Sequence, residues 1–360
     1  MKKIIIWVLV LGLLVGFLAP FFNSSSSESA NQAATFGFKE NLATTYGKTI
    51  AIPLKVAEES SKLVLKIADS VVLQIAQPKK KEIYFLDTKS FKPGAYLLDL
   101  QVSDADGNLY TEQRNLRILS DIKPERWSLQ LGASYPHDSK NYTQGLTFWK
   151  GELYEATGDP NQNGSSMVSK INLSTGQPVK EGALTYKQQL DASKFGEGIA
   201  IIGDELFQLT WKNQQCFVYD LKTFQLKREL AYTGEGWGLC SDGKQLIMSD
   251  GTERLTFKDP KTFQTLRTLE VYSDQGPLPQ LNELEYIDGL IYANIYTTNF
   301  VAVIEPTLGR VIALIDAGNL VAAGKGNGEV LNGIAFNATN RKIYMTGKYW
   351  PQLFEVNIIK

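Results

Sequence analysis

The sequence predicts an all-β protein: a five-bladed β-propeller preceded by a small immunoglobulin-like β-sandwich and an N-terminal hydrophobic signal or anchor segment. Three observations carry that prediction. Thirty glycines, 17 phenylalanines and 16 tyrosines tilt the composition toward strands and turns. Short runs alternate apolar and polar residues, the period of a half-buried strand. From residue 126 onward a four-strand pattern recurs five times with a period of about 40–53 residues, the spacing of propeller blades.

The first 22 residues, MKKIIIWVLVLGLLVGFLAPFF, place Lys2 and Lys3 before an uncharged run from 4 to 22. That run exceeds the about 7–15 residues of a signal-peptide core and fits the about 17–25 of a spanning helix. No good small-x-small cleavage site follows it, and no cysteine is placed for lipid attachment. An uncleaved anchor and a cleaved signal both remain open. Either one exports the body of the chain, to the periplasm or the cell surface, and limits membrane contact to this segment. Residues 23–35, NSSSSESANQAAT, read as a flexible linker.

Residues 36–122 contain short alternating runs such as TIAIPLKV, KLVLKI, EIYFLD and AYLLDLQV, separated by the turn signals KPG and DADGN. This spacing predicts a small antiparallel sandwich. DADGN starts like a calcium loop, but Leu109 stands where such a loop needs glycine, so a hairpin turn is expected. The unit carries no evident chemistry and reads as a spacer or docking module.

Residues 126–360 form the repeat. Its first strands begin QGLTF, EGIAI, WGLCS, NELEY and NGIAF, and its second strands are ELYEATG, ELFQLTW, QLIMSDG, LIYANIY and KIYMTGK. The fifth copy lacks a fourth strand, and WSLQLGASYP at 127–136 has no copy of its own. Pairing the two closes the ring and removes an exposed edge. Inner strands crowd around the axis, where glycine permits close backbone approach. The neighbouring residues Gln144, Glu197, Trp237, Asn282 and Asn332 are therefore expected to form one ring at the channel mouth. Glu155, Trp211, Asp250, Tyr296 and Lys348, at the ends of the second strands, are expected to form a second tier. Polar and aromatic groups converging on one hollow are the usual form of a small-ligand pocket.

Residue counts exclude several chemistries. With His137 as the sole histidine, neither a three-histidine nor a Cys₂His₂ zinc site can be built. A serine or cysteine triad would have to run through His137, which reads as structural, bonded to Asp138 or a loop carbonyl. Cys216 and Cys240 read as buried thiols, with a disulfide still open in an oxidising compartment. A formal net charge of −1 offers no electrostatic case for nucleic acid, and a monomer is expected.

The segments PHDSKNYTQGL, FGEGIA, LTW, GEGWGL, SDGTERLTFKDP, LNELEY, IYANIY, LNGIAF and TGKYWPQLFEV, in that order over residues 126–360, resemble the plant and bacterial glutaminyl-peptide cyclotransferases. The resemblance implies a five-bladed propeller that converts the N-terminal glutamine of peptides or proteins into pyroglutamate, with loss of ammonia and without a metal or other cofactor. It implies an essential acid at Glu197 in the Phe-Gly-Glu-Gly motif. It implies Gln144, Asn282 and Lys348 as further polar members of the site, and a substrate pocket drawing on Tyr142, Phe195, Trp211 and Trp237. Where the family commonly has tryptophan two residues after IYAN, this chain has Tyr296, which keeps an aromatic wall and adds a hydroxyl. Glu197 is expected to move a proton from the attacking amine to the leaving nitrogen. Gln144, Asn282 and Lys348 can supply N–H groups to the oxyanion. Glu235, in the second Gly-Glu-Gly, is expected to be a solvated turn residue or a hydrogen-bond partner. The competing reading is a non-catalytic exported propeller that binds peptide or glycan through the same channel.

Overall fold

A computed structural model describes residues 34–360, so the hydrophobic segment and the linker up to residue 33 lie outside the described residues. The chain is all-β, with one short helix, Gly318–Gly324, and one 3₁₀ turn, Thr88–Ser90, among the described residues. The last linker positions differ from expectation. Ala34–Phe36 is a strand that pairs antiparallel with Thr49–Val56, because Ala34 and Phe36 fill the first core.

That core lies between two sheets. One orders Ala34–Phe36, Thr49–Val56 and Lys81–Asp87; the other orders Leu42–Thr45, Leu109–Leu119, Gly94–Asp104, Ser60–Ile67 and Ser70–Ala76. Alternation drives the arrangement. Ile52 and Leu54 from the first sheet face Leu63, Leu65, Ile67, Leu98, Leu100 and Val102 from the second, with the alternate residues, such as Lys66, Asp99 and Gln101, less buried. DADGN is the hairpin turn, with Asp104 accepting from the backbone and side-chain N–H groups of Asn108 at 2.9 and 2.8 Å. The sandwich is not wholly antiparallel: Leu42–Thr45 runs parallel to Leu109–Leu119. Its residues lie in a stretch without clean alternation, so sequence periodicity misses it.

The larger region repeats an antiparallel four-strand sheet, the first copy carrying a short fifth strand, Lys187–Gln189. The first three run from Tyr142–Trp149, from Gly196–Ile202 and from Leu239–Ser241. The next two, beginning at Leu281–Ile287 and Leu331–Asn337, merge into one eight-stranded sheet through Glu125–Pro136. That strand pairs antiparallel with Gln352–Ile359, supplying the missing fourth strand, and also runs parallel to Arg310–Asp316 on its other side. Innermost strands touch in cyclic order: 142–149 against 196–202, then 239–241, 281–287, 331–337, and back to 142–149. The uneven repeat length has a local cause. Between the first two copies the chain inserts a small hairpin, Lys180–Glu181 with Leu184–Thr185. Between the last two it inserts the helix Gly318–Gly324.

Two glycines show why the inner strands need them. A β-carbon on Gly198 would lie 2.4 Å from the Leu239 nitrogen, and one on Gly238 would lie 1.9 Å from the Asn282 carbonyl oxygen. Adjacent inner strands thus meet backbone to backbone. Cys216 and Cys240 are both buried free thiols in separate clusters, and burial pushes both well above the usual thiol range.

Candidate active site

Four of the polar site residues sit where an inner strand loses its register, whereas Trp211, Tyr296 and Lys348 follow the ends of second strands. The pairing slips between Thr143 and Gly145, between Gly196 and Ile199, between Leu281 and Leu284, and between Leu331 and Ile334. A bulge leaves residues unpaired and re-aims their side chains. The residues left over include Gln144, Glu197, Asn282 and Asn332. Their side chains leave the strand's alternation and turn to the mouth of the ring.

Gln144, Glu197 and Lys348 form one connected group. The Gln144 amide nitrogen donates to Glu197 Oε1 at 3.1 Å. Its amide oxygen accepts from Lys348 Nζ and, at 3.2 Å, from Asn332 Nδ2. Two donors on the oxygen fix the amide's orientation, so its N–H must face the carboxylate. Glu197 is 4% exposed and Lys348 1%. Burial pushes the Glu197 carboxyl well above its usual range; the Lys348 charge opposes that and Glu235 adds to it. Burial pushes Lys348 down to about 8, against the pull of Glu197 and Glu329. Asn282 is buried and its Oδ1 has no partner; the Oδ1 of Asn332 and the Nδ2 of Asn294 are likewise unpaired. Unpaired buried polar atoms at one mouth are open to a ligand or to ordered water.

Aromatic rings make a collar around this group. Tyr142 meets Phe195 edge-on at 6.1 Å, and Phe195 meets Trp211 at 5.6 Å. Trp237 meets Tyr296 edge-on at 5.5 Å. Glu235 joins the two halves, its Oε2 accepting from the indole N–H of Trp211 at 2.7 Å and of Trp237 at 3.0 Å. The Lys348 ammonium stands 4.1 Å from the Tyr142 ring centroid and 5.7 Å from that of Tyr296. Tyr349 extends the wall, 5.1 Å from Tyr142.

The expected second tier is only partly assembled. Trp211, Tyr296 and Lys348 belong to the collar or its floor. Glu155 does not: it lies behind the strand, bonded to His137, Asn141 and Thr143. Asp250 accepts from the Thr252 N–H at 3.0 Å and sits 3.6 Å from Arg254, bracing its own loop. Sequence reasoning missed Glu283. Its two oxygens accept from the Leu146 N–H at 3.1 Å and the Ile334 N–H at 2.8 Å, tying three inner strands together across the axis. Burial pushes it well up, with Glu285 reinforcing the shift. Among the described residues no group of three or more His, Cys, Asp or Glu side chains is placed to hold a metal ion.

A cyclic arrangement of inner strands thus brings together a buried carboxyl, an oriented amide, a lysine and an aromatic collar. The family described as glutamine cyclotransferase matches residues 101–358, and the chain belongs to it. The match begins within the sandwich, upstream of the residue 126 at which the sequence motifs start. The chain is 34% identical over 236 residues to the glutaminyl-peptide cyclotransferase of Arabidopsis thaliana, covering 64% of this chain and 71% of the relative. It is also similar to the crystal structure of the glutaminyl cyclase of Myxococcus xanthus, at 36% identity and a TM-score of 0.60, over 66% of this chain and 99% of that one.

Proposed function

We infer that this protein is a glutaminyl-peptide cyclotransferase, closing the N-terminal glutamine of peptides or proteins to pyroglutamate with release of ammonia. Family membership and the two relatives support the activity. The observation that carries the site is the buried Glu197 carboxyl against the oriented Gln144 amide.

The substrate's α-amine attacks its own side-chain amide carbon, forming a C–N bond and a tetrahedral intermediate. Glu197 accepts a proton from the attacking nitrogen and returns it to the amide nitrogen. The second C–N bond then breaks and ammonia leaves, with Glu197 back in its starting state. Its raised pKa suits this exchange, because a carboxyl nearer neutrality is a better base toward an amine of ordinary pKa about 7.7–8. The collar of Tyr142, Phe195, Trp211, Trp237 and Tyr296 holds the folded side chain, lowering the entropic part of the barrier. Lys348, Asn282 and the remaining Gln144 N–H are the donors available to the oxyanion.

The cyclic contacts among inner strands support reading residues 126–360 as a five-bladed propeller that closes through Glu125–Pro136, with the 36–122 sandwich as a separate unit. We also propose that the chain is exported and works as a monomer, with Lys2, Lys3 and the uncharged run after them acting as signal or anchor.

The test is mass spectrometry of a glutamine-initiated peptide incubated with the purified protein, with and without chelator. Loss of one ammonia that persists under chelation supports the reading. Unchanged mass across varied glutaminyl peptides, with binding intact, favours a non-catalytic peptide-binding protein instead.

A further inference from the structure

His137 and Glu155 form a buried pair directly behind the site, and the inferred reaction uses neither. His137 Nδ1 lies 2.6 Å from the Trp350 carbonyl oxygen, so that nitrogen carries a proton. Its Nε2 lies 2.9 Å from Glu155 Oε1. Glu155 also accepts from the Thr143 hydroxyl at 2.8 Å and from Asn141 Nδ2 at 2.7 Å. With Nδ1 committed to the carbonyl and Nε2 facing an oxygen of Glu155, the geometry favours a doubly protonated ring. Burial alone would lower the histidine's pKa, but Glu155, the Trp350 carbonyl and Asp138 together raise it. Asp138 and Glu155 are the acidic groups acting on the ring.

The pair touches both chain segments that deliver the polar groups of the site. Thr143 directly precedes Gln144. On the other side, the turn Gly347–Trp350 carries Lys348, and three contacts pin it to the His137 segment. The His137 N–H donates to the Pro351 carbonyl at 3.0 Å, the Tyr349 N–H donates to the Asn141 carbonyl at 2.8 Å, and the imidazolium holds Trp350. This turn needs restraint. Tyr349 is held at a φ of 61°, a conformation unfavourable for a side-chain-bearing residue that persists only where its surroundings enforce it. Glycine at 347 is obligatory too, since a β-carbon there would lie 2.3 Å from the Trp350 indole.

We propose that His137 is a positioning residue for this reaction: paired with Glu155, it clamps the strained Gly347–Trp350 turn against the strand that carries Gln144, and so sets the Lys348–Gln144–Glu197 alignment. This inference rests on the cyclase reading. A histidine that only stabilised the fold would lower the melting temperature and leave turnover of the folded enzyme unchanged. A positioning histidine alters turnover while the collar still binds peptide.

Wild-type turnover of a glutaminyl peptide is measured first; its absence would overturn the cyclase reading and not the clamp. His137→Ala and His137→Asn are then assayed well below their melting temperatures. The expected result is a fall in kcat of about tenfold or more for H137A with KM within about threefold. H137N, whose amide can still donate to the Trp350 carbonyl, recovers part of the loss. The alkaline limb of kcat against pH, which we assign to Lys348, moves in both. A folded H137A with kcat within twofold of wild type and an unmoved pH profile would overturn the proposal. Should neither variant fold, or wild type be inactive, ¹⁵N NMR of the single histidine in the wild-type chain decides. Both ring nitrogens should stay protonated to a pH above the ordinary histidine value. An imidazole titrating near its ordinary value of about 6.5 would remove the charged clamp and the inference with it.

Discussion

The tripeptide Gly-Glu-Gly occurs at 196–198 and again at 234–236, and the two copies do different work. Glu197 lies inside a strand, at a bulge, and is buried at the ring mouth. Glu235 lies in the loop before its strand, half-buried, with one oxygen tying two indoles and Lys212 3.8 Å from the other. The glycines differ as well. A β-carbon on Gly198 meets neighbouring backbone at 2.4 Å, whereas one on Gly236 meets the terminal hydroxyl of Tyr232 at 2.4 Å. Identical local sequence thus yields a buried acid at the ring mouth in one place and a wall brace in the other. What separates them is the distance of the acid from the strand's first ladder pair, which sets whether the side chain points along the axis or across the collar.

Glu197→Gln tests that contrast most severely. Glutamine preserves size and can still accept from Gln144, but it cannot shuttle a proton. Turnover should fall by about 10²–10⁴-fold while circular dichroism and peptide binding stay unchanged. A variant with near-normal kcat would place the proton chemistry elsewhere. Gly198→Ala and Gly236→Ala then separate the two copies by stability. Alanine at 198 forces neighbouring backbone apart and should cost about 3 kcal/mol, read from urea midpoints; at 236 a tyrosine tip can move, and about 1 kcal/mol is expected. Equal costs would mean that the inner strands do not meet as tightly as Gly198 requires.

Periodicity carried the all-β class and the pairing of Glu125–Pro136 with Gln352–Ile359, because alternation and turn residues are local signals that each strand displays by itself. The bulges were not legible. Asn282 and Glu283 are consecutive and both buried, which alternation forbids, and the slip that permits it depends on the neighbouring strands. For the same reason Glu283 went unseen: its partners, Leu146 and Ile334, are remote in sequence and offer only backbone N–H groups. A hint did exist, since Glu283 and Glu285 stand two apart in an apolar strand, a spacing that aims both at one face. Glu155 was placed in the pocket by counting along a regular strand. The demand of His137 for an anion drew it to the opposite side, a pairing that no spacing rule encodes.

Lys348→Arg sharpens the contrast through pH. Lys348 is held down to about 8, so it is a cation below that pH and neutral above it. If the charge supports Glu197 through Gln144, kcat of the wild type should decline as pH rises through about 8. Arginine does not titrate in this range. The variant should turn over more slowly, by about tenfold for the poorer fit, but hold its rate to higher pH. A decline at the same pH in both proteins would assign the alkaline limb to another group.

The smallest effect is expected at the second tripeptide. Glu235→Gln keeps an amide oxygen that can accept from one indole but weakens the shared acceptor of Trp211 and Trp237, because a neutral oxygen attracts two N–H donors less than a carboxylate does. It also removes a negative charge that helps raise the Glu197 pKa. Both consequences are modest. The collar should loosen, raising KM for the peptide about threefold to tenfold. The acid limb of kcat should move slightly down, since Glu197 ionises more readily without the neighbouring anion. Unchanged KM with a large loss of kcat would make Glu235 a participant in proton transfer and erase the distinction between the two copies. The sign of the acid-limb shift, downward for a lost neighbouring anion, gives a second check that loosened packing by itself would not produce.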